Sequence, residues 1–137
     1  MSPDTIRASF AEEGCLGNVI ETLYATGYWL YTKERYADAA AAFRVLLQAA
    51  PTQERSWLAL GECHEKVGHL RIALELLGSG TVAAAPAPRC MLARARVLRT
   101  LGRGGEADDA FDEAQTLAEQ MDADDLVRLV DAERRAS

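Results

Sequence analysis

Nowhere in the 137 residues does an apolar run approach the roughly 20 side chains needed to span a bilayer, so a transmembrane segment is not expected. Met1, Ser2, Pro3 and Asp4 supply neither the basic nor the apolar stretch of a secretory leader, which makes the cytoplasm the expected compartment. Cysteine is scarce. Cys15, Cys63 and Cys90 form no CxxC pair and leave an odd thiol, so they read as small buried fillers in a reducing compartment and not as a disulfide framework. Basic charge is in deficit: 15 Lys and Arg face 21 Asp and Glu, a net charge of -6, which disfavours a nucleic-acid partner because gripping phosphates requires a cationic face. Runs of β-branched residues are nearly absent. No Gly-rich loop precedes Lys-Ser/Thr, and neither GxSxG nor HExxH occurs, so no phosphate cradle, nucleophile elbow or zinc helix is expected.

What is present is globular and helix-prone: 49% hydrophobic and 26% charged residues, with alanine-rich stretches, in a length suited to one compact domain. The chain reads as all-α. Self-similarity recurs at about 34 residues, the tetratricopeptide period. Small residues fall at Gly27, Gly61 and Ala95, and at Ala39, Ala73 and Ala107, where the two helices of a hairpin must approach closely. Bulky apolar residues fall at Leu23, Trp57 and Met91, and at Phe43, Leu77 and Phe111, where they fill the space between hairpins. Three hairpins at about 20–53, 54–87 and 88–121 are expected to stack as a right-handed solenoid. A helix over 3–14 caps one end, and one over 122–135, with Leu126, Leu129 and Val130 on one face, caps the other.

The first repeat is the fullest copy, with Leu23, Gly27, Leu30, Tyr36, Ala39, Phe43, Leu46 and a terminating Pro51. In the second, Gly78, Ser79 and Gly80 predict that the second helix ends early. In the third, Gly104 stands where the pattern has an aromatic. The stretch Ala83 to Pro88 reads as a tight link between repeats, not a domain boundary.

Leu23, Gly27 and Leu30 make the packing stripe of the first helix, spaced i, i+4, i+7. Tyr24, Tyr28 and Tyr31 share that spacing but are rotated about 100° from it, so they are predicted to face the inner, concave wall. Tyrosine suits a binding surface because it combines a large apolar face with a hydroxyl that tolerates water. Packing on the N-terminal cap is the plain alternative. The matching positions further along are Arg55, Leu58, Glu62 and Glu65, then Arg89, Leu92, Arg96 and Arg99. Aromatics followed by Leu58 and Leu92 would suit an extended peptide with spaced apolar anchors, oriented by flanking charges, although the arginines could equally form a solvated face.

Cys63, His64 and His69 do not read as a metal or thiol site, since Cys63 and His64 point about 100° apart and no second Cys/His pair completes a ligand set. The acids from Asp122 to Asp125 read as a helix N-terminus, favoured there by the helix dipole.

The stretch Tyr24 to Tyr31, then Tyr36-Ala-Asp-Ala39, Phe43 and Leu46, then Leu58 to Cys63, resembles the class II chaperones of bacterial type III secretion, the translocator chaperones. The likeness continues through Gly68, Ala73, Gly80, Pro88, Arg89, Leu98, Gly102, Glu106 and Ala107. The resemblance implies a cytoplasmic, non-enzymatic protein without cofactor or metal, which holds a short extended segment near the N-terminus of hydrophobic translocators before their secretion. It implies that Tyr24, Tyr28, Tyr31, Tyr36, Phe43 and Leu58 line the client groove, with Arg89 and Leu92 as further members. N-terminal helices contribute to dimer formation in that family and the segment here is shorter, so a homodimer stays open. Two other readings are a clamp for a C-terminal carboxylate, disfavoured because Tyr24 and Tyr28 stand where Lys and Asn would be needed, and a scaffold docking a folded partner on its convex surface.

Overall fold

A computed structural model describes residues 15–136, and the expected cap helix over 3–14 lies outside them. Among the described residues there are seven helices and no strand: α1 (Cys15–Thr32), α2 (Tyr36–Ala49), α3 (Glu54–Lys66), α4 (Leu70–Ala83), α5 (Pro88–Thr100), α6 (Gly104–Gln120) and α7 (Asp124–Arg135). No helix among them is long and apolar enough to cross a membrane.

Each helix packs on the next, which makes α1/α2, α3/α4 and α5/α6 three antiparallel hairpins, with α7 laid on α6. The first helices of successive units also touch, α3 with α5 and α5 with α7, whereas no comparable contact joins α2 to α4 or α4 to α6. The stack therefore curves with the first helices on its inner side and the second helices on its outer side.

The small-residue columns explain how closely the hairpins close. A Cβ on Gly27 would overlap the ring of Phe43, and one on Gly61 would lie 2.8 Å from Leu77 Cδ2. The third repeat places Ala95 in the same column against Phe111, both buried. Ala39, Ala73 and Ala107 are buried opposite.

The turns repeat with the same period. Glu34, Gly68 and Gly102 all have positive φ (60°, 83° and 77°), and in each the next amide donates to a carbonyl five residues back: Arg35 to Leu30 O at 3.0 Å, His69 to His64 O at 2.9 Å, Arg103 to Leu98 O at 2.9 Å. These are Schellman closures, in which a left-handed residue lets the chain satisfy a free helix-end carbonyl and reverse. Asp122 (φ 54°) does the same between α6 and α7, where Ala123 donates to Ala118 O.

Two sequence expectations are corrected. α4 does not stop at Gly78 but runs on to Ala83, and its glycine is a packing device: a Cβ on Gly80 would lie 2.7 Å from Trp57 Cβ and 3.0 Å from Cys90 Sγ. In α7, Leu126 and Val130 are buried, but Leu129 is 41% exposed, because the helix turns its 126/130 edge toward Leu92 and Phe111.

Candidate functional site

The inner face of α1 carries the tyrosines as one continuous aromatic row. Tyr24 and Tyr28 have ring centroids 4.8 Å apart, Tyr28 and Tyr31 meet edge to face at 5.9 Å, and Tyr31 meets Tyr36, the first residue of α2, at 5.4 Å. Beneath them Phe43 of α2 packs against Tyr28 (5.3 Å) and Tyr24 (6.5 Å). The tilted and edge-on geometries are those that aromatic quadrupoles favour, so the row is held in place before any ligand arrives. All four tyrosines are partly buried and keep an accessible face. Burial, reinforced by the Glu62 carboxylate, raises the Tyr28 hydroxyl well above its ordinary pKa and pushes Tyr31 up to about 12, so both are neutral hydrogen-bonding groups.

Helix α3 contributes Leu58 and the carboxylates Glu62 and Glu65, all partly buried. Glu62 stands beside Tyr28, whose hydroxyl is 3.5 Å from its Oε2, and burial raises the Glu62 pKa despite the favourable Arg96 charge. Arg55, at the start of α3, lies over the Tyr24 ring at 4.6 Å and is paired with Glu21 of α1.

At the third hairpin the inner-face arginines are tied to their neighbouring helices. Arg96 of α5 binds Glu65 with two bonds of 2.9 Å and reaches Glu133 of α7 at 3.3 Å; the Glu65 bond and charge raise its pKa against the opposing effect of burial. Arg99 donates to the Glu133 backbone carbonyl at 2.8 Å and lies over Phe111 at 5.0 Å. Leu126 and Val130 of α7 share one apolar cluster with Leu92. Glu54, the first residue of α3, caps the N-terminus of α5 by accepting from the amides of Arg89 (2.8 Å) and Cys90 (3.1 Å), two donors that the helix itself leaves free.

Of the expected groove residues, Tyr24, Tyr28, Tyr31 and Tyr36 thus come together as one partly accessible surface, whereas Leu58, partly buried on α3, packs against the separate cluster of Ala73, Leu77 and Cys90. Phe43 and Leu92 do not belong to that surface. Phe43 is 0% exposed, because it fills the space over Gly27, and supports the row from below; Leu92 is 3% exposed, because it packs in a separate cluster with Leu126 and Val130 of α7. Arg89 is exposed but stands apart, at the edge where α5 begins beside Glu54 and the α6–α7 turn. Nor are Arg96 and Arg99 an open solvated face, since both are tied to α7.

Sequence reasoning missed the pairs that join one repeat to the next. Tyr28 with Glu62, Glu21 with Arg55, and Arg99 with Glu133 are each 34 residues apart. Equivalent positions on neighbouring helices face one another, so complementary residues one period apart were the available signal.

His64 and His69 approach to 3.4 Å between their Nδ1 atoms, beside a cleft of about 250 Å³ that Tyr36, Arg44 and Cys63 also line. Among the described residues no three His, Cys, Asp or Glu side chains converge to hold a metal ion. Cys63 and Cys90 are buried, and burial pushes their thiols up to about 11 and about 12, with Glu62 adding to the first and Glu54 to the second.

No family model matches the chain, and no curated protein matches its sequence. Solved structures do match. The type III secretion translocator chaperone SycD of Yersinia enterocolitica superposes with a TM-score of 0.82 at 24% identity, covering 93% of this chain and 96% of SycD. PcrH from Pseudomonas aeruginosa gives a TM-score of 0.75 at 26% identity, over 96% of this chain and 90% of its own. PcrH in complex with the chaperone binding region of PopD gives 0.75 at 27% identity, over 85% and 89%. Over most of its length the chain therefore has the helical-repeat fold of the type III secretion translocator chaperones.

Proposed function

We propose that this protein is a translocator chaperone: it takes up a short, extended, apolar segment of a hydrophobic secreted protein in its inner groove and keeps that protein from aggregating until export. The observation that carries this reading is the tyrosine row, in which Tyr24 and Tyr28 rest on the buried Phe43, Tyr31 and Tyr36 continue edge to face, and all four keep an accessible face. Such a surface offers apolar contact without flexible side chains to order, so little conformational entropy is lost on binding. The capture of PopD's chaperone binding region by PcrH, a protein of the same fold, supports the reading. The work is equilibrium binding in the cytoplasm, with no catalysis, no metal and no nucleotide.

The test is co-expression with translocator candidates encoded nearby, followed by pull-down. Wild type keeps its client soluble and co-purifies with it. A Tyr24→Ala, Tyr28→Ala, Leu58→Ala variant that keeps its helical circular dichroism loses the client. A folded variant that still captures the client removes the groove from the reading. In that case the outer face, where Val82 is 80% exposed next to a cleft of about 710 Å³ lined by Trp57, Leu74 and Arg94, becomes the docking surface of a scaffold.

A further inference from the structure

The charges in the groove are unequally committed. Arg55 is paired with Glu21, Arg96 is held by Glu65 and Glu133, and Arg99 is bonded to the Glu133 carbonyl, so these three arginines of α3 and α5 are engaged within the fold. Glu62 is not. Among the described residues it makes no ion pair within 4 Å, and its one hydrogen bond is the long 3.5 Å contact from Tyr28. It is a partly buried carboxylate set against Tyr28, at the position one period after it, where the inner faces of α1 and α3 meet. A carboxylate half out of water, with Arg96 bonded to Glu65 and Glu133 and the exposed Lys66 acting on it only through space, attracts a cation brought by a ligand.

We infer that Glu62 selects clients whose bound segment places a lysine or arginine close to an apolar anchor, so that the anchor lies on the tyrosines while the cation reaches the Glu62 carboxylate. This rests on the groove reading above and adds the chemical class of the segment. Neighbouring helix axes lie about 8–10 Å apart, and an extended chain advances about 3.3 Å per residue, so the cation belongs about three residues from the anchor. The net charge of -6 favours the same class of partner at long range.

The probe is an array of 12-residue synthetic peptides, each with two leucines three residues apart and one variable position, occupied by Lys, Ala or Glu, moved along the peptide. Binding to wild type, Glu62→Gln and Glu62→Asp is read by fluorescence anisotropy. On wild type, Lys about three residues from a leucine binds about five-fold or more tighter than Glu at the same place. Glu62→Gln erases that difference, and Glu62→Asp keeps part of it. Equal binding of the Lys and Glu peptides by wild type overturns the assignment to Glu62 and leaves the groove reading standing. A preference for Lys that persists in Glu62→Gln places the recognition elsewhere and also overturns it. Failure of every peptide to bind wild type overturns the groove reading and this inference together. The Lys-against-Glu comparison on wild type needs no variant, so it decides even if a substituted chain does not fold.

Discussion

The ring of Phe43 occupies the space that a Cβ on Gly27 would need. Helices α1 and α2 meet at this contact, and the tyrosine row stands on the same ring. Gly27→Ala therefore forces Phe43 to move and destabilises the protein by about 1–3 kcal/mol, even though alanine is the better helix former. Ala95→Gly, in the same column of the third hairpin, destabilises for the opposite reason, by about 1 kcal/mol of lost helix propensity and packing over Phe111. Urea denaturation of both variants measures this, and a neutral Gly27→Ala contradicts the packing account.

Glu34 holds a left-handed conformation that glycine occupies at the matching positions Gly68 and Gly102. Its side chain is exposed and carries the backbone cost of that region without a Cβ-free alternative. Glu34→Gly is expected to stabilise the first turn by about 0.5–1 kcal/mol, seen as a raised melting temperature with an unchanged circular dichroism spectrum.

Burial raises the Glu62 carboxyl above its ordinary pKa, more than the Arg96 charge lowers it. A carboxyl with a raised folded-state pKa favours the fold below its unfolded value and loses that contribution as pH rises through the folded value. At pH 7 the ionised form is therefore a liability. Glu62→Gln should melt higher than wild type at pH 7, by on the order of 2–4 °C, and the gap should close as pH falls below the ordinary carboxylate range. A gap that widens in acid would reverse the sign of this argument.

Arg96 ties α5 to α3 through Glu65 and to α7 through Glu133. Arg96→Met leaves two partly buried carboxylates without their cation and should cost about 1–3 kcal/mol. Hydrogen exchange locates the effect: protection should fall across Asp124–Arg135 before it falls in α1 and α2. Uniform loss along the chain would mean that α7 is not separately anchored.

Cys63 and Cys90 are buried with raised pKa values of about 11 and about 12. Neither is a thiolate near neutral pH, so iodoacetamide at pH 7.5 should leave both unmodified over hours in the native protein and alkylate both in 6 M guanidinium. Peptide mapping assigns each site. Rapid native labelling of Cys63 would show that the α2–α3 contact opens far more often than its packing implies.

The fold was legible because a helical repeat writes each structural demand several times. Gly27, Gly61 and Ala95 name the close approach, and Phe43, Leu77 and Phe111 name what fills it, so a lapse in one repeat is corrected by the others. Reading Gly78 to Gly80 as a helix end failed because local propensity was set against a packing need visible only in three dimensions, the closeness of Trp57 and Cys90 to Gly80. The groove was legible in its aromatic part, since stripe geometry along one helix follows from 100° per residue. It was not legible at Leu92, whose burial depends on how α7 is turned, or at Phe43, which shares the repeat pattern with surface residues but lies under them. The arginines failed as free cations for a similar reason: their partners lie 31 to 37 residues away, beyond any local reading.

Leu126 follows Leu92 by one period, as Leu92 follows Leu58, so α7 takes the place of a fourth first helix beside α5 and the stack ends on half a repeat. On the proposed reading the groove would then have a grain, aromatic at α1, carboxylate at α3 and guanidinium at α5, and an extended segment laid across it would meet a new chemistry about every three residues and fit in one direction but not the other.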